Sequence, residues 1–439
     1  MLNLTEYRKK PDRLADYLPW AALVAPGVVL NKDGSFQRSV RYRGPDLESA
    51  TEAELVAVSA RINNILRRFG SGWSLFFDAT RVSSEPYPAR NFADAASWLV
   101  DQEREFDLNQ DDTHYESRYH LTLLFLPPED RVNRSESLLF EASDKSKKRI
   151  DYRDHLASFI SETNRAIDLL AQILPDVQIL DDAETLSFLH QCISTKSHPV
   201  AVPECPVYLD AILPDTPFQG GLEPMLGDTH LRTLAVLGFP NVTTPGILDE
   251  LNDLGFAYRW STRWISLDKP LAAKQLTTLR RQWFSKRKSI TAILREVMFN
   301  QEAALVDSDA DNKANDADMA LQELGADDVA FGYVTTTLVV SHKVAHTAEA
   351  HLRSIERVIS GRGFVTIRET INAVEAWLGT LPGNVYANVR QPIIHTLNLI
   401  HMMPVSAVWA GPEKNAHLDG AALITAKTRD ATPLRLDLH

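Results

Sequence analysis

Two cysteines stand in 439 residues, Cys192 and Cys205. That is too few for a disulfide framework, and they lack the paired spacing of a cysteine-based zinc site. A reducing cytosol is the expected home. Long apolar runs are also missing: nothing reaches the roughly 18 residues that a membrane-spanning helix needs. The opening "MLNLTEYRKKPDRL" has basic residues but no unbroken apolar core behind them, so it lacks a signal-peptide layout. Positive charge is in deficit, with 46 Lys and Arg against 58 Asp and Glu and a net charge of -12. Such a chain is no general nucleic-acid coat; binding of that kind needs a local basic patch. The motifs of catalysis are absent as well. No glycine begins the G-x-x-x-x-G-K-[ST] loop that cradles phosphates, and there is no G-x-S-x-G elbow and no H-E-x-x-H pair. "RFGSGWS", "FQGGLEPMLGD" and "SGRGF" read as turns. No catalytic, cofactor-binding or metal-ligating residue is assigned.

What is present is the material of a globular α/β protein. Hydrophobic residues make up 44% and charged residues 24%, enough for an ordinary core spread over two or three compact units. "NKDG" marks a hairpin turn between 28–30 and 36–42. Apolar spacing predicts helices over 48–69, near 92–104, and over 152–174, with strands at 73–82 and 119–128. The charged stretch 141–151 reads as a loop. After the Pro- and Gly-containing segment 198–224 a second series begins. It has strands at 230–240, 256–268, 329–342 and 364–369, and helices at 244–255, 270–300, 312–324, 347–360 and 370–382. The fold class is therefore α/β, with α+β-like mixed sheets in two consecutive subdomains, 1–205 and 206–415. A strand pair in 416–439 follows. In its last strand Leu434, Leu436 and Leu438 alternate with Arg435, Asp437 and His439, the two-residue period of a half-buried strand.

Three stretches invite functional readings. "DSDADNKANDAD" (307–318) spaces its acids somewhat like a calcium loop, but Asn312 stands where that loop needs glycine and Asp318 replaces its bidentate Glu. It reads as an exposed acidic linker that caps the helix ending at Leu324. In 274–295 the cations Lys274, Arg280, Arg281, Lys286, Arg287, Lys288 and Arg295 surround Trp283 and Phe284. That helix is either a solvated face or a grip for phosphates, lipid head groups or an acidic partner. "DYLPWAALVAPGVVL" (16–30), with Trp20, is either a packed opening segment or a docking surface. His395 and His401 lie off any i, i+4 metal face and read as structural.

One block changes the position. "LPGNVYANVRQPIIHTLNLIHMMPVSAVWAGPEKNAHLDG" (381–420) resembles the segment before the ATPase domain in conjugal transfer ATPases of type IV secretion systems, of the TrbE type. "LPWAALVAPGVVLNKDGSFQRSVRYRGPDL" (18–47) resembles that family's opening. "LGFAYRWSTRWISLDK", "LRRQWFSKRKSI", "DNKANDADMALQELGADDVAFGY" and "GRGFVTIRETINAVEAWLG" follow in the family's order. The resemblance implies the N-terminal region of such an ATPase, with the strand pair of 421–438 leading toward a RecA-like domain absent from this chain. It implies a docking and assembly role at the cytoplasmic face of the bacterial inner membrane, against channel subunits, within a hexamer of the complete protein. ATP and magnesium are expected only of that complete protein, and no activity of this chain alone. Under this reading Trp20 and the basic helix 274–295 are the candidate contacts with partner, membrane or DNA. The competing reading is a nucleic-acid-binding module built on that helix.

Overall fold

The structure, a computed structural model, describes residues 13–286 and 308–437 except 47–49, 89, 110–113, 128–151, 241, 389–391, 405–407, 413, 416, 418–419 and 429–431. The expected loop at 141–151 lies outside these residues. After a short turn of helix α1 (Leu14–Tyr17) come β1 (Trp20–Ala25), β2 (Val28–Asn31) and β3 (Phe36–Arg43). The first hairpin pairs Leu30 with Phe36 and Val28 with Arg38, as the "NKDG" turn predicts. Helix α2 (Glu52–Leu66) starts at Thr51, whose hydroxyl accepts from the Glu54 amide at 3.2 Å. Then follow β4 (Trp73–Ser83), α3 (Ala95–Asn109), β5 (Tyr115–Phe125), α4 (Tyr152–Ala171), β6 (Asp176–Ile179) and α5 (Asp182–Gln191). Short elements come next: α6 (Leu209–Ile212), β7 (Phe218–Gln219) and β8 (Met225–Leu226). The second series is β9 (Thr229–Gly238), β10 (Tyr258–Ser266), α7 (Lys269–Lys286), α8 (Ser308–Gly325), β11 (Phe331–His342), α9 (Ala345–Gly361) and β12 (Val365–Arg368). The described chain ends with α10 (Ala373–Leu378), β13 (Ile393–His395), α11 (Thr396–Met402), β14 (Ile424–Lys427) and β15 (Pro433–Leu436).

The fold is mixed α/β around one large sheet. Thirteen strands join, ten of them in the order 1-2-3-5-4-10-11-9-8-7, with β6 on β3, β12 on β9 and β13 on β11. Every pairing described is antiparallel. The sheet crosses the 205/206 division, because β4 and β10 pair from Tyr258–Arg81 to Ile265–Ser74.

Strand alternation sorts this sheet into two faces. Leu75, Phe77 and Ala79 of β4, Leu121 and Leu123 of β5, Trp260 and Trp264 of β10, and Leu338 and Val340 of β11 share one core. The apolar stripes of α2, α4 and α9 close over it through Ile62, Phe159, Ile167, Leu352, Ile355 and Ile359. A second core holds Trp20, Val29 and Val339 with α5, α6 and α10. A third joins α7 to α8 through Ala272, Leu276 and Leu324. Gly332 on β11 makes room for the Trp264 ring; a Cβ there would overlap the indole and lie 2.6 Å from the Ile265 carbonyl.

Several expectations need correction. The helix expected at 244–255 is only a 3-10 turn at Asp249–Asp253. Side chains take its carbonyls: Tyr258 Oη donates to Leu251 O at 2.8 Å and Arg81 Nε to Leu254 O at 2.7 Å. The helix expected at 370–382 is confined to Ala373–Leu378. The acidic stretch from Ser308 is helix, not linker. A helical backbone does not make the tight turn on which calcium-loop ligands converge. In β15 the leucines are not the buried set: Leu436 is 48% exposed, while Arg435 is held among polar partners.

Candidate functional site: polar frame and arginine cleft

The second face of the central strands is polar and yet buried. On β10, Arg259, Ser261 and Arg263 alternate with the core tryptophans, and the segment after α10 lies across them. Arg259 Nη2 donates to Asp78 Oδ1 at 2.7 Å and to Thr380 O at 2.7 Å. Asp78 is fully buried, which pushes its carboxyl above the usual carboxylate range; Arg259 opposes that shift. Arg263 reaches the carbonyl oxygens of Asn384, Ala387 and Asn388 at 2.9, 2.8 and 3.1 Å. Burial without a carboxylate partner pulls its guanidinium down to about 10. Trp20 Nε1 donates to Pro382 O at 2.7 Å. The opening segment and "LPGNVYAN" thus meet on one face of the sheet, and Tyr386 Oη donates to Asp33 Oδ2 at 3.0 Å there.

A cleft of about 400 Å³ opens farther along, where the last strand pair meets β3, β5 and β6. It is lined by Arg41 and Arg43, by Glu116 and Arg118, by Asp176 and Gln178, and by 408–412 with Arg435. Four arginines face two carboxylates. Arg435 donates to both oxygens of Glu116 at 2.6 and 2.9 Å, and its Nε donates to Pro412 O at 3.0 Å. Arg41 Nη2 donates to Gln178 Oε1 at 2.5 Å. The Arg43 guanidinium lies 4.5 Å from the centre of the Trp409 ring, and Trp409 is 44% exposed. Such a cleft is suited to anionic groups, since guanidinium pairs carboxylate and phosphate in two-point geometry.

The sequence-derived candidates fare differently. Trp20 is fully buried. Its indole is occupied by this chain's own core and by Pro382, so it is not a group that touches a partner. Lys274 is exposed on α7, opposite Ala272 and Leu276. For Arg280, Arg281, Trp283 and Lys286 the structure describes helical backbone alone, and Arg287, Lys288 and Arg295 lie outside the described residues. The arginine cleft escaped the sequence reading because its members come from strands far apart in the chain. The one local signal is "SVRYRG", which puts Arg41 and Arg43 on the same side of β3.

Comparison with known proteins gives these segments a context. Residues 27–133 match the model of the type IV secretion system ATPase VirB4/TrbE N-terminal domain. Residues 175–390 match that of the CagE, TrbE, VirB family, component of type IV transporter system. The conjugal transfer protein TrbE of Rhizobium radiobacter is 31% identical over 459 residues, covering 100% of this chain and 55% of that protein. A probable conjugal transfer protein TrbE of Sinorhizobium fredii is 35% identical over 141 residues, which is 31% of this chain and 95% of that protein. The type IV secretion system protein virB4 of Brucella abortus is 20% identical over 97% of this chain and 50% of its own length. The chain spans about half the length of the Rhizobium TrbE and Brucella virB4 relatives, 55% and 50%. The chain belongs to the TrbE/VirB4 family of type IV secretion system ATPases.

Proposed function

We propose that this chain is the docking and assembly region of a conjugal transfer ATPase, without catalytic activity of its own. It would seat at the cytoplasmic face of the inner membrane against channel subunits and associate with further copies of itself. One observation carries the reading: the likeness to TrbE runs over 100% of the chain, while the same 439 residues contain no phosphate-cradling loop. Among the described residues no helix is long and apolar enough to cross a membrane. Attachment would therefore go through partners or charge. Use of ATP and magnesium is proposed only for a protein of the relatives' full length. A second reading, a nucleic-acid-binding module on helix 274–295, draws support from the arginine cleft, whose exposed Trp409 offers a stacking surface.

Charge reversal at Arg280, Arg281, Lys286, Arg287 and Lys288 separates the two. Co-purification of the chain with co-expressed inner-membrane channel subunits is expected to be lost in the reversed variant. Loss of DNA affinity with co-purification retained, and a steep salt slope in the unmodified chain, would favour the nucleic-acid module. Failure of the unmodified chain to hold any channel subunit would overturn the docking role.

A further inference from the structure

We propose that His190, His198 and Asp215 form a binding site for zinc or a similar divalent first-row ion, with water completing the shell. His190 closes the last turn of α5 and is 2% exposed, yet neither of its ring nitrogens makes a hydrogen bond. Two buried, unmatched imidazole nitrogens are costly unless something occupies them. Its Nε2 lies 3.3 Å from Asp215 Oδ2. Asp215 is already oriented for that oxygen to serve as a ligand. Its other oxygen, Oδ1, accepts from Ser194 Oγ at 2.7 Å and from Thr216 Oγ1 at 2.8 Å. Hydrogen bonds of this kind fix a carboxylate ligand in known metal sites.

His198 completes the set, with its ring centre 4.6 Å from that of His190 and nearly edge-on to it. One donor atom from each of the three residues lies within 4.8 Å of the others. Tetrahedral zinc with bonds of about 2.05 Å spaces its ligands about 3.3 Å apart. The small closure needed falls on His198 and Asp215, the two exposed members. Lys196 Nζ now stands 3.3 Å from Asp215 Oδ2, with 61% of its side chain exposed. It is the cation that the ion would displace, and it returns to solvent at little cost. Two nitrogens and one carboxylate oxygen suit zinc, and equally cobalt or nickel. The ion would staple the end of α5 to 194–198 and to the turn at 213–216, which together cover the second core around Leu189, Ile193 and Leu213.

The test uses the full 439-residue chain, stripped with chelator and titrated calorimetrically with zinc alone. One ion per chain is expected, with a rise in melting temperature and, on cobalt substitution, the visible absorption of a four-coordinate site. His198→Ala and Asp215→Asn should each weaken binding about tenfold or more, and Thr216→Ala should weaken it by about tenfold. His198 is exposed, so its variant leaves the fold intact, as circular dichroism would verify. No uptake by the unmodified chain, or uptake unchanged in both ligand variants, would overturn the proposal and leave an adventitious ion only.

Discussion

Histidines inside the sheet tie this fold to pH. His120 on β5 is buried, stacks on Phe188 with ring centres 4.2 Å apart, and is pushed down to about 3 by burial and by Arg41, Arg118 and Arg259. Burial, with His401 nearby, likewise pulls His395 down to about 4. Unfolded, each titrates near 6.5. The folded chain therefore binds fewer protons than the unfolded chain below that point. The stability of neutral burial is complete above pH 6.5 and is lost progressively as pH falls toward 4 and then 3. At pH 5, His120 alone should account for about 2 kcal/mol of that loss. Urea unfolding midpoints at pH 7.5 and 5.0 measure it, and the gap between them should narrow in His120→Gln. An unchanged gap would mean that the imidazole is protonated in the folded chain.

At the scale of elements, the final hairpin of β14 and β15 is bound to the body by side chains instead of by the main sheet. Arg90 donates to Leu423 O and Ala422 O, each at 2.8 Å, and Arg435 pairs with Glu116. The approach of β15 depends on Gly411, whose φ is +85° and whose added Cβ would run into the Arg435 carbonyl. Gly411→Ala combines an unfavourable backbone region with that collision, costing at least about 1 kcal/mol. Limited proteolysis should then cut faster within 408–437 while the core fragment persists. Equal cleavage rates in the two proteins would show that the hairpin is not held by this contact.

For the whole molecule, the decisive contact is β4 beside β10. It brings strands from before and after residue 205 into one sheet. A fragment of residues 1–205 would leave β4, eleven residues from Trp73 to Ser83, as an open edge rich in Leu75, Phe76 and Phe77. Long apolar edges pair with other chains. This fragment is expected to elute as aggregate in gel filtration while the 439-residue chain does not. A monodisperse, folded fragment would instead establish 1–205 as an independent unit.

Much of this was legible in the sequence. The "NKDG" hairpin, the helix of 347–360 and the strand of 329–342 fall close to where apolar period and turn chemistry put them, because those signals act between neighbouring residues. The TrbE likeness was legible too, since its segments keep their order along the chain. Position in the sheet was not. Alternation in "YRWSTRWIS" reads as one face to the core and one to water, but Arg259 and Arg263 are buried because 380–388 crosses over them. Trp20 looked like a docking residue for the same reason: apolar content cannot say whether a partner or the chain itself will cover it. The arginine cleft and the His190, His198 and Asp215 cluster have no contiguous signature, as each gathers side chains from separate elements. The sequence determined the period of each element and the family. Tertiary structure alone decided which polar groups were buried and brought together, because only the closed sheet brings distant strands and loops within hydrogen-bonding reach.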